Sequence, residues 1–252
     1  MLGLNGGLMG VRKVPTTGAA SGVWVPNEQV LAKRAGIWPI VGPAAIPDIG
    51  GAYQGGFFAG YISHTENGVA THALIVAPRA TGASGTGYTL TTNYACKTAA
   101  TATSGTTSPF DGAANTAAMV TAGIADHPAA NFCVGLSIDG YSDWYLPSRY
   151  ELDIAYENLK PTTANNSTFW GVNPYSVPRR TVDRTTGLPA QTSVAAFQSG
   201  GGEDFVNERH WSSTEDLSTS TNGWRMSFAD GAQLNEGKTA ARRVRAFRRV
   251  AL

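Results

Sequence analysis

Histidine and cysteine are the side chains of this sequence that most readily act as nucleophiles, bases or metal ligands. The four histidines are His64, His72, His127 and His210. None has a second histidine four residues away or a nucleophile at a recognisable elbow, so they indicate loop hydrogen bonding more than catalysis. Cys96 and Cys133 could pair, but two cysteines in 252 residues do not form a disulfide framework. The sequence favours two buried free thiols.

Two carboxylates near the middle of the chain could supply oxygen ligands to a metal ion. Asp139 and Asp143 flank a glycine turn, as in a calcium loop, but the other ligands and the spacing of an EF-hand are absent. Metal binding is therefore a minor alternative. The stretch "GYSDWYLPSRYEL", residues 140–152, is better explained as scaffold.

Two helices are predicted to position the surrounding chain. Ser148 and Glu151 have the spacing of a capping box directly after Pro147, so a helix starts there. Its apolar residues recur at i, i+3, i+4 and i+7 and predict one buried face that ends before a proline at 161. They are Leu152, Ala155, Tyr156 and Leu159. The other helix is predicted over residues 113–124, with Asp111 as its cap and a thin apolar face.

Two hairpins are predicted as well. The runs "GGFFAGYIS" and "THALIVAP" are separated by the turn-forming sequence "ENG", and in "GWRMSFADGAQL" large apolar residues alternate with polar ones before an Asp-Gly turn. Residues 97–112 predict a surface loop. Residues 161–209 have almost no helical or strand periodicity. So long an irregular stretch indicates either a binding surface or a wrong assignment of secondary structure, and its aromatic residues favour an ordered loop.

The composition is that of an ordered, loop-rich chain with one large domain or a domain and a short appendage. It has 42% hydrophobic and 15% charged residues, 30 glycines and 13 prolines. The net charge of +1 gives no general attraction to nucleic acid or to an anionic membrane. The N-terminus lacks the features of a secretion signal, and no run approaches the roughly 20 apolar residues of a membrane-spanning helix. We expect no nucleic-acid partner and no membrane insertion.

The C-terminal stretch "ARRVRAFRRVAL" carries five arginines. A patch for nucleic acid or acidic glycan is one interpretation. Val244 and Ala246 alternate with Arg243 and Arg245, however, and this pattern favours a strand with one solvated face, on which arginine stems cover apolar surface.

The first 45 residues differ from the rest of the chain. Glycines, prolines and isolated apolar residues occur there without helical or strand period. Such a segment cannot bury itself, yet Trp24 and Trp38 are too apolar to be left in water. We expect an extended arm, with a short helix over residues 26–35, that docks on another protein. The alternative is that the arm wraps its own domain.

Five motifs occur together in a fixed order: "GYSDWYLPSRYEL", "WGVNPYSVP", "HWSSTE", "GWRMSFADGAQ" and "VRAFRR". Together they resemble a phage tail-fibre domain family. That family belongs to the broad C-type-lectin-like superfamily, with the formylglycine-generating enzymes and the retroelement-diversified phage receptor-binding proteins. The resemblance covers roughly residues 46–252. Two segments of the arm, "GVRKVPTTGAASGVW" and "LAKRAGIWP", similarly resemble segments that open phage virion proteins.

The resemblance implies an α+β fold. Residues 46–252 would be a C-type-lectin-like domain of small twisted antiparallel sheets with two helices, long loops on one exposed face and its two ends close together. Residues 1–45 would be the extended arm for virion docking or oligomerisation. The helix that starts at Ser148 would be the second helix of the family.

The resemblance also implies a virion protein, made in the host cytoplasm, that acts as a tail fibre and binds a glycan or protein on the bacterial surface. Exposed aromatic and hydrogen-bonding side chains would make the contacts. The candidates are Tyr175, Arg179, Arg180, Glu203, Asn207, His210, Glu215, Asn222 and Arg225. Docking to other virion proteins would use Val23, Trp24, Ile37 and Trp38. We expect a homotrimer, because linked copies raise avidity.

Two other functions remain open. The same domain could be a structural or decoration protein of the phage head, neck, baseplate or tail without receptor binding. A formylglycine-generating type of enzyme needs reactive cysteines near the C-terminal part of the domain, whereas Cys96 and Cys133 lie upstream, so we do not expect an enzyme. We expect no cofactor either, because the residue triplets of calcium-dependent animal lectins are missing and fold analogy cannot replace them.

Overall fold

Helices and antiparallel strands are interspersed along the chain, which confirms the expected α+β class. The structure, a computed structural model, describes residues 45–84 and 93–252. Pro47–Leu252 form one compact unit. The helices of the described part are α1 (Arg79–Gly82), α2 (Gly112–Gly123), α3 (Pro128–Val134) and α4 (Arg149–Leu159). The strands are β1 (Ala52–Tyr53), β2 (Gly56–Ile62), β3 (His72–Val76), β4 (Ala83–Ser84), β5 (Tyr94–Ala95), β6 (Ser176–Val177), β7 (Arg209–Glu215), β8 (Asn222–Ser227), β9 (Gln233–Gly237), β10 (Ala241–Arg242), β11 (Val244–Arg245) and β12 (Phe247–Ala251).

Helix α4 begins where the sequence predicts. The Ser148 hydroxyl accepts a hydrogen bond from the Glu151 N–H (3.4 Å), and the Glu151 carboxylate accepts one from the Ser148 N–H (2.7 Å). The capping box is therefore complete. The residues of the predicted apolar face are all buried: Leu152, Ala155, Tyr156 and Leu159. The helix ends before Pro161, whose ring cannot donate the next hydrogen bond.

Helix α2 is confirmed too, shifted by one residue from the predicted range. The Asp111 side chain accepts a hydrogen bond from the Ala114 N–H (2.8 Å), as a cap does. Its buried face is thin, because only Met119 contributes a large apolar side chain beside two small polar ones. A direct contact ties α2 to α4, since the Gly112 N–H donates to the Glu151 carboxylate (3.2 Å).

The first predicted hairpin forms the centre of the largest sheet in the described part of the chain. Strands β2 and β3 pair antiparallel, and the sheet order is β1-β2-β3-β12, with β6 also pairing with β2. In the turn, Glu66 and Gly68 have φ values of 53° and 76°. Strand β12 pairs with β3 in the register Phe247↔Val76. The first and last strands of the unit thus belong to one sheet.

The second predicted hairpin is β8 and β9, and β7 joins it to give a three-stranded sheet. Two small ladders, β4 with β11 and β5 with β10, lie elsewhere in the unit. Helix α4 packs against β2 of the large sheet and against β7 and β8. Its apolar face therefore shares one core with Leu74 and Phe247 of the large sheet and with Met226 and Phe228 of the hairpin.

Residues 161–209 form an ordered loop, as predicted. Phe197 and Phe205 of this loop are buried in the core, and β6 and a 3₁₀ turn at Ala195–Phe197 interrupt its irregular path. The buried side chains of Phe197 and Phe205 anchor the loop to the core. The peptide bonds before Pro178 and Pro189 are cis.

The prediction that the C-terminal arginines lie on a solvated strand face is wrong. Arg245 is 1% exposed and Arg248 is 6% exposed. Arg245 donates to the Ala77 carbonyl (2.6 Å) and to the Glu203 carboxylate (2.8 Å), and Arg248 donates to both oxygens of Asp143 (2.7 and 2.9 Å). Distant loops supply these partners, so alternation along the strand cannot reveal them. Because Arg248 engages both oxygens of Asp143, the calcium-loop alternative loses one of its ligands.

The two cysteines are buried free thiols, as expected. In the described ranges, no helix has the length and apolar character needed to cross a bilayer. The predicted helix of residues 26–35 lies outside the described residues, and so do the docking candidates. These are Val23, Trp24, Ile37 and Trp38.

Candidate functional site

A row of aromatic side chains, each half-buried, lies along the domain. We call it the aromatic band, and its members are Trp224, Trp170, Tyr150, Tyr175, Phe110, His64 and His72. The ring centroids are 6.3 Å apart for Trp170 and Trp224, 5.7 Å for Tyr150 and Tyr175, 4.2 Å for Tyr175 and Phe110, 5.3 Å for Phe110 and His64, and 4.5 Å for His64 and His72. These separations are those of interacting rings.

Arg149 joins the tryptophan end of the band to its tyrosines. The guanidinium carbon lies 3.8 Å from the Trp224 ring centroid, 5.4 Å from that of Trp170 and 5.5 Å from that of Tyr150. Such contacts are cation–π interactions. Arg149 Nε also donates to the side-chain oxygen of Gln233 (2.5 Å). Because Arg149 and Tyr150 are the first two residues of α4, the capping box that starts the helix also positions this part of the band.

Tyr175 and Phe110 form the centre of the band, stacked at an interplanar angle of 19°. Phe110 directly precedes the cap residue of α2, and Tyr175 directly precedes β6, so the ends of regular elements position both rings. The Asn173 side chain accepts a hydrogen bond from the Tyr175 N–H (3.1 Å). Burial and a hydrogen bond with Glu66 raise the pKa of Tyr175 to about 12, so its hydroxyl stays protonated at neutral pH.

The two histidines form the other end of the band. Burial and the charge of Arg249 lower the pKa of His64 to about 4, and the same causes lower the pKa of His72. Arg249 Nη1 lies 3.3 Å from His64 Nε2 and donates to the Asp111 carboxylate (2.7 Å). Both imidazoles are therefore neutral at pH 7, and each presents a ring and a hydrogen-bonding nitrogen without a charge.

A buried carboxylate holds the loop that carries Trp170 and Tyr175. Asp153 on α4 is 0% exposed. It accepts hydrogen bonds from the side chains of Arg180, Arg184, Asn173 and Gln233. The backbone N–H of Arg184 in turn donates to the Trp170 carbonyl (2.7 Å). Burial and the neighbouring Arg184 lower the pKa of Arg180 to about 9, so it is still charged at pH 7.

The aromatic band suits a ligand that has apolar faces and hydroxyl groups. Aromatic rings supply contact area with little conformational freedom to lose, and a few polar groups beside them fix the orientation of a ligand. Glu66 and Asp111 are such groups, since both interact with members of the band. Sugars combine apolar C–H faces with hydroxyls. Within the described ranges, no group of three or more His, Cys, Asp or Glu could hold a metal ion.

Of the predicted contact residues, Tyr175 is in the band. Asn222 is half-buried and precedes Trp224 by two positions on β8, so both side chains lie on the same face of the strand. Arg179 and Asn207 are exposed and are not members of the band. Their role as receptor contacts remains a prediction.

Three predicted contacts are wrong because they are buried. His210, Glu215 and Arg225 are 4%, 6% and 7% exposed. The His210 ring packs edge-on against Phe228 at 4.8 Å, and burial lowers its pKa to about 3. Glu215 pairs with Lys238, and Arg225 pairs with the Glu236 carboxylate (3.2 Å). All three side chains are buried and contact other residues of the domain, so they are not exposed to a receptor.

Two further candidates are partly buried and already paired. Arg180 binds Asp153 and Glu157. Glu203 accepts hydrogen bonds from the Arg79 N–H (2.7 Å) and from the Arg245 guanidinium (2.8 Å). A charged residue in an irregular loop is a good candidate for a ligand contact only if no other residue of the protein is its partner. Here other parts of the chain supply the partners of both residues.

Sequence reasoning misses six of the seven members of the band. Phe110 lies in a segment predicted as a polar surface loop, where one large apolar residue was the available signal. His64 and His72 lie on either side of the predicted hairpin turn, so their proximity follows from the hairpin. Nothing in the sequence shows that the loop carrying Trp170 reaches Trp224.

A scan of the sequence against protein-family models finds no match, and a search of curated proteins finds none either.

Proposed function

We propose that this protein is a phage tail-fibre protein that binds a glycan on the bacterial surface through the aromatic band. The five ordered sequence motifs support a C-type-lectin-like domain over residues 46–252. Small antiparallel sheets, two helices of more than ten residues and a long ordered loop are compatible with such a domain. In this proposal the arm of residues 1–45 attaches the protein to the particle.

The observation that carries the proposal is the continuity of the band. Single exposed apolar side chains are normal on a protein surface, but a connected set of rings with polar groups beside it indicates a binding surface. Phe169 directly precedes Trp170 and is 83% exposed, so it adds apolar surface at the tryptophan end of the band. A sugar placed on Tyr175 or Phe110 would find the carboxylates of Glu66 and Asp111 close by for its hydroxyls.

A surface of this kind binds weakly as a single copy. Aromatic contacts contribute about 0.5–1.5 kcal/mol each beyond the area that they bury, and association itself costs several kcal/mol. Linked copies convert later binding steps into intramolecular ones and raise avidity by about 10²–10⁴-fold. The homotrimer predicted from the tail-fibre role provides that repetition.

The proposal does not use calcium. The sequence lacks the residue triplets of calcium-dependent animal lectins. Asp143, one of the two carboxylates considered for a calcium loop, gives both oxygens to Arg248. We expect binding to be unchanged when EDTA is added, whereas a loss of binding that calcium restores would show a metal-dependent site.

The function is tested with the full-length protein, fluorescently labelled and applied to intact cells of the presumed host. We expect saturable binding and dose-dependent inhibition of particle adsorption, because the isolated protein and the particle would compete for one receptor. Particles that lack the protein should form normally and fail to adsorb.

The structural alternative predicts different results. A decoration or cement protein would not bind cells or inhibit adsorption, and deletion of residues 1–45 would reduce particle integrity. Absence of cell binding by a folded, assembled protein, together with fragile particles, would replace the receptor role with the structural one.

A further inference from the structure

The sheet β7-β8-β9 has a second face, opposite to the one that carries Trp224. Successive side chains of a strand point to opposite faces, so Arg225 and Ser227 of β8 lie on the face away from Trp224. The strand register places Arg209 of β7 and Glu236 of β9 on that second face as well. This surface is therefore separate from the aromatic band.

Positive charge exceeds negative charge on this second face. The Glu236 carboxylate accepts hydrogen bonds from Arg242 (Nε at 2.8 Å) and Arg225 (Nε at 3.2 Å), and the Arg209 guanidinium lies 3.9 Å away. One carboxylate offsets one of these three guanidinium charges, so about two remain. Burial and the charge of Arg209 lower the pKa of Arg225, as expected where positive charges crowd together.

Arg209 is the side chain best placed to meet an incoming anion. It is 51% exposed, and its distance to Glu236 is too long for a hydrogen bond. The neighbouring carboxylate of Glu208 does not neutralise it, because Glu208 is paired with Arg243 at 3.0 Å. Arg209 therefore has donors available for an external oxyanion.

A groove of about 390 Å³ lies beside Arg209. Its volume is within the range of small-ligand sites. Arg209, Arg242 and the carboxylate of Glu208 line it, together with the neutral side chains of Asn93, Asn207 and Ser227. Amide and hydroxyl groups can both donate to and accept from sugar hydroxyls. Asn207 is the one predicted receptor contact that lies here.

We propose that this groove binds an acidic sugar, with the sugar's oxyanion on Arg209 and its hydroxyls on Asn93, Asn207 and Ser227. The excess of guanidinium charge specifies a carboxylate, sulfate or phosphate group. The neutral side chains favour a ligand in which that acidic group is attached to a molecule with several hydroxyls. No aromatic ring lines the described groove, so it lacks the stacking platform by which proteins bind single-stranded nucleic acid.

The test uses the full-length protein, isotope-labelled, and follows its NMR chemical shifts at low ionic strength. Three probes are titrated separately: glucuronate, glucose and inorganic phosphate. We expect glucuronate to shift the resonances of Arg209, Asn207 and Ser227, phosphate to shift them with lower affinity, and glucose to leave them unchanged. The affinity for glucuronate should fall as salt is added.

Arg209→Gln is the test variant, and Lys97→Gln is the matched control, because it removes the same charge from a side chain with an exposed ammonium group that does not line the groove. We expect Arg209→Gln to weaken glucuronate binding about tenfold, the effect of one charge-assisted hydrogen bond, and Lys97→Gln to have no effect. Equal affinities in the two variants, or equal shifts with glucose, would overturn the proposal. Tighter binding of phosphate than of glucuronate would show a free-anion site in place of a sugar site.

This inference does not depend on the aromatic band. Tyr175→Ala should leave the glucuronate titration unchanged, while Arg209→Gln should leave the stacking surface intact. A protein that fails to bind cells but still binds glucuronate at Arg209 would refute the proposed function and retain the acidic-sugar groove.

Discussion

Replacement of Asp153 by asparagine should destabilise the domain by about 3–5 kcal/mol. The carboxylate is 0% exposed and pairs with Arg180 and Arg184, whose side chains are 17% and 2% exposed. Asparagine keeps the shape but removes the negative charge, which leaves two guanidinium groups in a buried site. Glu157 also contacts both arginines and offsets part of the loss, so we expect the lower half of the range.

Urea denaturation followed by tryptophan fluorescence measures this effect. With a typical m-value of about 2 kcal/mol per molar urea, a loss of 3 kcal/mol lowers the midpoint by roughly 1.5 M. Trp170 lies on the loop that Asp153 holds, so its emission should change in the folded variant as well. Glu157→Gln is the matched control, because Glu157 pairs with the same arginines but is 28% exposed.

Glu157→Gln should cost about 1 kcal/mol or less, since a partly exposed ion pair contributes little. If Asp153→Asn costs no more than Glu157→Gln, Asp153 does not anchor the loop and the positions of Trp170 and Tyr175 need another explanation.

Three further outcomes are expected from the ionisable groups. Burial raises the pKa of Glu151 from 4.5 to about 7, so the folded state holds this proton more tightly than the unfolded state does. The contribution of Glu151 to stability should therefore fall by about 3 kcal/mol as the pH rises from 4.5 to 7. Glu151→Gln removes this dependence, and a constant stability difference between the two proteins across that range, measured by urea titration, would contradict the assignment. Burial raises the pKa of both thiols, that of Cys96 to about 12, so neither cysteine should react with a thiol reagent in the native protein and both should react in denaturant. Burial lowers the pKa of His64 to about 4 and also lowers the pKa of His72, so cell binding should be constant between pH 8 and 7, and a loss of binding in that range would show that a histidine of the band titrates higher.

The helices and hairpins could be predicted from the sequence because their signals are local. The capping box at Ser148 and Glu151, the i, i+3, i+4, i+7 face that follows it and the cap at Asp111 each depend on residues within one or two helical turns. The same holds for the Glu66 turn, where short separation and turn-forming residues define the pairing.

The burial and the pairing of the charged residues could not be predicted, because their partners lie far away in sequence. Arg245 is 42 residues from Glu203, and Arg180 is 27 residues from Asp153. An alternating strand pattern places Arg245 on a polar face, but only the fold shows that a carboxylate covers that face. The same difficulty led to wrong contact assignments for Glu215 and Arg225.

The band itself depends on tertiary structure. Its members come from the first hairpin, the loop before α2, the start of α4, the long loop and β8, and sequence alone does not show that these elements converge. Tyr175 could be proposed because it lies in an aperiodic segment that contains aromatic residues. Phe110 and Tyr150 could not, since one lies in a polar loop and the other in a helix.

The most direct test of the aromatic band is the cell affinity of Tyr175→Ala, measured beside Val182→Ala in the full-length protein. Val182 is 73% exposed, lies outside the band and provides a control for removal of exposed apolar area. Urea midpoints would first establish that both variants are folded. We predict that Tyr175→Ala weakens cell binding about tenfold or more, as expected for the central aromatic residue of a contact surface, and that Val182→Ala binds like the wild type. A folded Tyr175→Ala protein with wild-type affinity for cells would contradict the role of the band in receptor binding.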